Sequence, residues 1–379
     1  MKLILNATNL KLGGALQVTC SVLEQLKKFP GNEYHVFLSP QLAGYVSLEQ
    51  FPSNFFFYNF NSNPTSSIIN LFTFSKKLDK LEMQIKPDFV LSMFGPAVWK
   101  PKAPHLVGFA NGMFLYSRSR FVRETWLEHP IKRAYYMLRR YILLGELKRE
   151  ATLLWTETEY AKKHIHTATK IPREKIHIIT NTYDIRFENA AALVDGRDKL
   201  PTEPYKFLYL TADYPHKNLN IFNELLPLIK EQNIKCQFFV TLPEDIFRKR
   251  FPEHQNSQLL KNLGPLAPEQ CPEAYANVDA LFFPSLVETF SSNYPEAMIM
   301  KRPIITSDLD FAHFICGDAA LYFDPYSALS IIDSIKLLIN NQPLQERMVK
   351  AGLKRLVNFD SAYSRTEKLL NIMQQHLEK

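Results

Sequence analysis

Two glutamates stand eight positions apart in residues 285–298, SLVETFSSNYPEAM, with small polar residues between them. They are Glu288 and Glu296, and Pro295 directly precedes the second. Proline lacks an amide hydrogen and disfavours a helical residue before it, so we expect a loop and then a helix with Pro295 at its first position. Both carboxylates can then accept hydrogen bonds from sugar hydroxyls. The alternative is that Glu296 complements the helix dipole and Glu288 is solvated.

Three small polar residues, Ser291, Ser292 and Asn293, are expected at the N-terminus of this helix. The run before the loop, LFFPS (281–285), is apolar and ends in proline and serine, which is typical of a buried strand end. Backbone amides without partners and the positive end of the helix dipole favour an anion such as phosphate. The segment therefore predicts a strand, a loop and a helix start that can bind phosphate beside sugar hydroxyls.

The composition is that of a globular protein, and the length of 379 residues suggests two domains. Four scattered cysteines, with no CxxC pair and no His/Cys cluster, favour a reducing compartment and argue against structural zinc. The apolar start MKLIL is too short for a signal peptide, and no stretch approaches the ~18 apolar residues of a membrane span. We therefore expect a cytoplasmic protein.

The net charge of +7 favours anionic partners, but no nucleic-acid motif is present, so we do not expect nucleic acid. The segment 118–150 mixes basic and aromatic residues. Within it, apolar residues recur at helical spacing beside basic ones: Ile131, Tyr135, Leu138 and Ile142, with Lys132, Arg133, Arg139 and Arg140. Such a helix fits an anionic membrane surface. The alternative is a core-facing helix with a solvated basic face.

Short apolar runs alternate with helical patterns along the whole chain, which predicts parallel sheets. The runs that we interpret as strands are 2–7, 34–39, 88–93, 105–110, 152–157, 175–180, 206–212, 235–242, 279–285, 303–307 and 320–324. The polar segment 194–204, with two prolines and a glycine, is the best linker. We expect an α/β protein with two Rossmann-like domains facing across a cleft, at 1–197 and 198–360. The helix in 361–379 is expected to cross back to the first domain.

The stretch 262–325 closely resembles the C-terminal half of retaining GT-B glycosyltransferases of the family 4 (group 1) type. The shared landmarks are the Glu-x7-Glu spacing, LFFPS at 281–285, EAM after the second glutamate, and GDAALYFDP at 317–325. The resemblance extends back through YPHKNL (214–219) and is weaker in the N-terminal half. It implies an enzyme that moves a sugar from a nucleotide-diphosphate sugar to a hydroxyl acceptor, without a metal ion.

The resemblance also implies roles for single residues of the second domain. Glu288 would contact hydroxyls of the donor sugar, and Glu296 would hold the ribose of the nucleotide. Backbone amides of the segment 291–293 would bind the diphosphate. Lys217, just before a helix for which Asn218 is a plausible N-cap, would place its ammonium on the diphosphate. The alternative for Lys217 is an exposed, solvated side chain.

The chain departs from the family pattern at the phosphates, where many relatives place an arginine five residues before the lysine and this chain has Ala212. His216 is then a second phosphate contact, only partly charged near neutral pH. In the first domain, Gly13 and Gly14 would let the backbone approach the donor; the alternative is an ordinary turn.

A second departure lies on the acceptor side, where relatives often place a histidine or aspartate and this chain has Asn111. Asn111 can orient a hydroxyl but cannot act as a base. Retaining relatives are thought to use front-side attack, in which the departing phosphate oxygen takes the acceptor proton, so no protein base is needed. His105 is expected at the wrong end of its strand for this role.

Two patterns suggest a metal ion, and we expect neither to bind one. Asp308-Leu309-Asp310 has the DxD spacing of a different glycosyltransferase fold, but relatives have a similar loop without metal at this place. His164 and His166 alternate in direction and lack a ligand companion, so we interpret them as surface or core histidines.

The function that these patterns favour is sugar transfer with retention, in bacterial surface-polysaccharide synthesis by family analogy. The expected acceptor is a saccharide or a lipid-linked saccharide, and the protein would be cytoplasmic and peripheral on the inner face of the membrane. Two alternatives stay open. One is a sugar-nucleotide epimerase of GT-B fold, and the other is a non-catalytic partner subunit that binds nucleotide sugars.

Overall fold

The computed structural model describes residues 1–11, 13–61, 68–194, 203–255 and 257–379. The chain divides into unit 1, Met1–Asn181 with Asp360–Lys379, and unit 2, Thr182–Phe359. Most of the predicted linker 194–204, and with it the predicted boundary at 197/198, lies outside the described residues. The chain already joins unit 2 before that point, because Phe187 is buried in the core of unit 2 and its ring meets Tyr275 edge-on at 5.7 Å.

Unit 1 is a parallel sheet with helices. Its strands are β1 Lys2–Ala7, β2 Glu33–Leu38, β3 Phe55–Asn59, β4 Phe89–Ser92, β5 His105–Gly108, β6 Leu153–Thr156 and β7 Ile176–Ile178. They lie in the order β3-β2-β1-β4-β5-β6-β7. Its helices are α1 Gly14–Leu26, α2 Pro40–Ala43, α3 Ile68–Ile85, α4 Gly112–Leu115, α5 Arg120–Val122, α6 Pro130–Glu150 and α7 Glu159–Thr169, with a C-terminal helix given below.

Unit 2 repeats this architecture. Its strands are β8 Tyr205–Tyr209, β9 Cys236–Val240, β10 Leu260–Asn262, β11 Ala280–Phe283, β12 Ile304–Ser307 and β13 Ala320–Phe323, in the order β10-β9-β8-β11-β12-β13. Its helices are α8 Arg186–Val194, α9 Phe222–Glu231, α10 Glu244–Arg250, α11 Cys271–Ala276, α12 Asn293–Ile299, α13 Asp310–Cys316, α14 Ala328–Ile339 and α15 Gln342–Leu356. In the described residues no helix is long and apolar enough to cross a bilayer.

The predicted α/β architecture of two Rossmann-like domains is confirmed. The central strands are continuous apolar runs because both faces of a parallel sheet are covered; β4, β5 and β11 are buried at every residue. The edge strands β3 and β10 were not predicted. β10 has one apolar residue in three, whereas β3 reads FFFYN, an apolar run that was overlooked although only its first residue is buried.

The C-terminal helix, α16 Ala362–Leu377, packs with unit 1 as predicted. Its Leu369 and Met373 lie in the core of that unit. Arg365 is 3% exposed, and its guanidinium donates to Asn181 Oδ1 at 2.5 Å and to Ser21 Oγ at 2.9 Å. One buried cation thus joins α16 to α1 and to the last residue of the first segment of unit 1.

Replacing Arg365 by alanine is expected to lower the free energy of unfolding of unit 1 by about 2–4 kcal/mol, because two half-buried polar partners lose a charged donor that is itself buried. The three tryptophans, Trp99, Trp126 and Trp155, all lie in unit 1, so their fluorescence in a urea titration reports this unit alone. Lys368→Ala on the same helix is the matched control, because it removes a cation whose side chain is 52% exposed from its pair with Asp360, and it should cost less than about 1 kcal/mol. Equal effects of the two variants would contradict this assignment.

Candidate active site

The strand order of unit 2 predicts where a ligand binds. The chain leaves β8 toward β9 on one side, while β11 lies on the other side of β8. A crevice forms beyond the carboxyl ends of strands at such a switch point. The segment after β8 carries Lys217, and the segment after β11 carries Glu288. The fold therefore brings together two predicted site residues that are 71 positions apart.

Lys217 and Glu288 form a half-buried ion pair, with Nζ 2.5 Å from Oε1 and side-chain exposures of 16% and 12%. The same Oε1 accepts a hydrogen bond from Ser285 Oγ at 2.7 Å. The ammonium also lies 5.2 Å from the centre of the Phe283 ring. One oxygen of the carboxylate is thus held by two donors of the protein, while the pair presents both charges at the switch point. A cation for phosphate and an acceptor for hydroxyl groups lie side by side.

Glu296 is the more deeply buried of the two motif glutamates, at 8% exposure. The hydroxyl of Tyr275 lies 3.2 Å from Oε2 and donates to it, and Ser292 is a second hydrogen-bond donor to the carboxylate. Burial raises the pKa of Glu296 to about 7, the two hydrogen bonds oppose that rise, and the nearby Asp184 adds to it. Such a group changes its charge near neutral pH.

The residues 291–293 lie at the start of α12, as predicted. The N–H of Glu296 donates to the carbonyl of Ser292 at 2.9 Å, so the amides of Ser291, Ser292 and Asn293 precede the first i→i−4 bond of this helix. The side chain of Asn293 donates to Leu210 O at 2.8 Å and ties the helix start to the end of β8.

Two predictions about helix starts in unit 2 are wrong. Pro295 is the third residue of α12 and not the first. Its missing N–H costs no hydrogen bond, because the third position of a helix also has no intrahelical acceptor. Asn218 does not cap a helix through its side chain. It adopts a left-handed conformation with φ of 55° between two 3₁₀ turns, and its side chain donates to Pro325 O at 2.8 Å.

The backbone of His216 lies beside the ion pair. Its carbonyl oxygen accepts a hydrogen bond from the N–H of Leu286 at 2.7 Å. Burial lowers the pKa of its imidazole, with Glu288 acting against and Lys217 adding to the effect. The ring is therefore less charged at neutral pH than the partial charge expected from the sequence. It stacks on Tyr214, with ring centres 5.6 Å apart.

The position of the missing family arginine, Ala212, is exposed at the end of β8. Arg250 reaches the next residue of this segment, but its guanidinium is bound to Asp213 and to Asn220 Oδ1, the latter at 2.9 Å. It is neutralised there by the carboxylate of Asp213. Lys217 therefore remains the principal cation that the described residues place at this switch point.

Gly13 and Gly14 lie at the start of α1, in the connection that follows the central strand β1 of unit 1. Gly13 has φ of 78° and ψ of −155°, a conformation that residues with a side chain rarely adopt. A Cβ added at either glycine would meet nothing within 4 Å. The turn therefore needs glycine at position 13 for its backbone, and open space lies beside both residues.

Asn111 lies beyond the carboxyl end of β5, directly before α4. It is half-buried, and its side chain makes no capping hydrogen bond to α4. His105 begins the same strand and so lies at its opposite end, as expected. It is fully buried, with Nε2 2.8 Å from Ser92 Oγ and Nδ1 3.1 Å from Glu150 O, and burial lowers its pKa to about 3. His105 is thus a neutral structural histidine.

The two patterns that suggest a metal ion have other partners. Asp308 Oδ1 lies 2.6 Å from His313 Nε2, and Asp310 begins α13. His164 and His166 each direct Nδ1 at a backbone carbonyl of their own segment. In the described ranges no group of three or more His, Cys, Asp or Glu side chains has the arrangement of a metal site.

Two hydroxyls that hold the motif carboxylates were not predicted from the sequence. Ser285 was visible only as part of the strand end LFFPS, and Tyr275 only as one apolar residue of a short helix. Tyr275 is fully buried, and its hydroxyl lies 3.2 Å from both Glu296 Oε2 and the carbonyl oxygen of Asn293, so the two acceptors share its one proton. No local pattern could have paired it with a carboxylate 21 positions away.

Residues 195–355 match the family model described as glycosyl transferases group 1, a range that includes Lys217, Glu288 and Glu296. A curated relative, the O-antigen chain mannosyltransferase RfbU of Salmonella typhimurium, is 25% identical over 227 residues. The aligned part covers 56% of this chain and 60% of RfbU, so the chain matches three fifths of that relative's length.

Two solved structures resemble the chain over nearly its whole length. WaaG, a glycosyltransferase involved in lipopolysaccharide biosynthesis, has a TM-score of 0.72 at 14% identity and covers 98% of this chain, which covers 99% of it. Anabaena HepE, solved in complex with UDP and glucose, has a TM-score of 0.69 at 12% identity, with coverages of 99% and 100%. At these identities the likeness establishes the fold, which is the GT-B fold. The group 1 family model then indicates a glycosyltransferase.

Proposed function

We propose that this chain is a retaining glycosyltransferase of the family 4 type. It moves a sugar from a nucleotide-diphosphate sugar to a hydroxyl group of a saccharide or lipid-linked saccharide. The observation that carries the proposal is the ion pair of Lys217 and Glu288, 2.5 Å apart at the switch point of unit 2. A diphosphate needs a fixed cation and a sugar needs a hydrogen-bond acceptor, and this pair offers both.

Each site residue has a proposed role. Lys217 neutralises the diphosphate with the amides of residues 291–293, and His216 adds a neutral contact. Glu288 accepts from hydroxyls of the donor sugar through the oxygen that Ser285 does not hold, and Glu296 accepts from the ribose. In unit 1, the Gly13-Gly14 turn approaches the donor and Asn111 orients the acceptor hydroxyl.

The proposed reaction keeps the configuration of the transferred sugar. As the bond between the anomeric carbon and the phosphate oxygen breaks, that oxygen takes the proton of the acceptor hydroxyl, which attacks from the same face. Negative charge builds on the diphosphate, so the ammonium of Lys217 stabilises the transition state more than the ground state. No protein base and no metal ion is required, and Asn111 fits a route of this kind.

The proposed setting is bacterial surface-polysaccharide synthesis, as lipopolysaccharide, capsule or exopolysaccharide. RfbU and WaaG are named for O-antigen and lipopolysaccharide synthesis, which supports this setting. The acceptor in such pathways can be lipid-linked, so the proposed location is the cytoplasmic face of the membrane, with the protein bound peripherally.

A thermal-shift screen against UDP-, GDP-, dTDP- and ADP-sugars without metal tests the proposal. A ligand at about 100 times its Kd adds about 2.7 kcal/mol of stability, so a true donor gives a clear shift. We expect one nucleotide family to shift the protein, and Glu296→Ala and Lys217→Met to lose the shift. A shift that survives both substitutions would contradict the donor site.

The products of the reaction separate the two other functions. Donor binding without turnover, even when acceptor is supplied, would identify a partner subunit. Conversion of the donor into an isomeric sugar nucleotide would identify an epimerase. Transfer with an anomeric configuration equal to that of the donor, measured by NMR of the product, is the result that the proposal requires.

A further inference from the structure

The helix α6 is held to unit 1 by one of its faces. Tyr136, Leu144 and Leu147 are buried there, at 2%, 5% and 0% exposure. The hydroxyl of Tyr136 donates to Met113 O at 2.8 Å, and its ring stacks on Phe114 with centres 5.6 Å apart. These contacts fix which side of the helix faces outward.

The outward face of α6 is apolar. The large apolar side chains of this helix that are at least half exposed are Ile131, Tyr135, Met137, Leu138, Tyr141 and Ile142, with exposures between 50% and 86%. Residues spaced by three and four positions lie along one helix face, so the stripe is continuous. Single exposed apolar residues are ordinary, whereas a contiguous patch marks an interaction surface. The exposures exclude the core-facing alternative for this stripe.

Positive charge borders the stripe along one side. At 100° per residue, Lys132 and Arg139 lie on that border, whereas Arg140 is directed inward, where it donates to Phe114 O at 2.9 Å. Arg139 also donates to Tyr135 at the edge of the stripe. The acidic residues of the helix do not cancel this charge, because Glu146 is paired with Arg149 and Glu150 is buried on the inward face.

We infer that the outward face of α6 binds an anionic lipid bilayer, with the helix lying in the plane of the headgroups. Apolar side chains in the centre match the acyl boundary, tyrosines match the interface, and the basic border of Lys132 and Arg139 matches anionic headgroups. A protein partner would have to present an apolar ridge beside an acidic row in one register, whereas an anionic bilayer offers both at every point. Only the link to a lipid-linked acceptor rests on the proposed function. The binding of α6 to a bilayer does not depend on it.

The test is co-sedimentation of the full chain with vesicles of phosphatidylcholine alone or with about a third phosphatidylglycerol. We expect at least tenfold stronger binding to the anionic vesicles, and weaker binding at 0.5 M salt than at 0.1 M. Ile131→Glu with Leu138→Glu should lower this binding at least tenfold. The matched control is Leu329→Glu with Leu337→Glu on α14 of unit 2, which replaces two leucines that are 59% and 48% exposed and should change nothing.

Vesicle binding is measured without any sugar transfer, so it can fail or succeed independently of the proposed function. Tryptophan fluorescence in a urea titration, which reports unit 1, shows that the α6 variant is folded, and the donor thermal shift reports unit 2 of the control variant. Absence of vesicle binding, or binding that the α6 variant retains, would overturn the inference. The parent protein could also form a dimer in sedimentation velocity that the α6 variant abolishes and the control variant keeps. That result would assign the face to a second copy of the chain and would overturn the inference as well.

Discussion

Lys217→Met is expected to lower kcat about 100- to 1,000-fold, the loss that follows removal of one fixed electrostatic stabiliser from a transition state. The ammonium is held at 2.5 Å from Glu288 and lies at the switch point where the diphosphate is proposed to bind. Methionine keeps an apolar side chain of similar length and removes the ammonium, together with its hydrogen bond to Glu288. The measurement is the release of nucleoside diphosphate in the presence of acceptor, with kcat and KM determined separately.

Matched variants separate charge at the site from charge in general. Lys230→Met removes an exposed lysine of α9 in the same unit and should leave kcat unchanged. Glu288→Gln should also lower kcat. Because Lys217 and Glu288 touch, the double variant should lose less than the sum of the two single losses in activation free energy. A Lys217→Met enzyme with kcat within about threefold of the parent would remove Lys217 from the reaction.

The contact on which this prediction rests was only partly visible in the sequence. The apolar runs 206–212 and 279–285 predicted two strands, and parallel strands place their following loops at one edge of a sheet. The sequence does not show which strands are neighbours in the sheet. β11 lies next to β8 because β9 and β10 lie on the other side of β8. The resemblance to a family supplied the roles that periodicity could not.

Local geometry limited the remaining site predictions. Pro295 and Asn218 were assigned by residue preference alone, and preference does not fix the residue at which a helix begins. Backbone shape decided both outcomes, since Asn218 adopts a left-handed conformation between two short turns. Gly13 has a conformation that few other residues adopt, which explains glycine at this position, whereas the approach of this turn to the donor stays a prediction.

Donor affinity should fall as the pH is lowered through about 7, because burial raises the pKa of Glu296 to about 7. The proposed role requires the carboxylate form, which accepts hydrogen bonds from two ribose hydroxyls. If only that form binds, Kd is constant well above pH 7 and rises tenfold per unit well below it, so it should be about 30-fold higher at pH 5.5 than at pH 8. Isothermal titration with the nucleotide sugar measures this profile.

Few other groups can produce this profile. The diphosphate of a nucleotide sugar is a diester and does not titrate in this range. The imidazole of His216 has a lowered pKa, and its protonation would add positive charge and strengthen donor binding, which is the opposite sign. Cys271, near Glu296, is kept as a thiol because burial raises its pKa to about 12. Glu296→Gln should therefore abolish the fall in affinity.

Tyr275 is expected to set the position of this profile on the pH axis. Its hydroxyl donates to Glu296 Oε2 and so favours the carboxylate, which lowers the pKa against the effect of burial. Tyr275→Phe removes that donor and keeps the buried ring, so the fall in affinity should begin at higher pH, with weaker binding at pH 7. Tyr322→Phe is the control, because that hydroxyl donates to Gly317 O outside the site. An unshifted profile in Tyr275→Phe would mean that the tyrosine only fills space beside the carboxylate, whereas a flat profile in the parent protein would mean that Glu296 does not titrate on the donor.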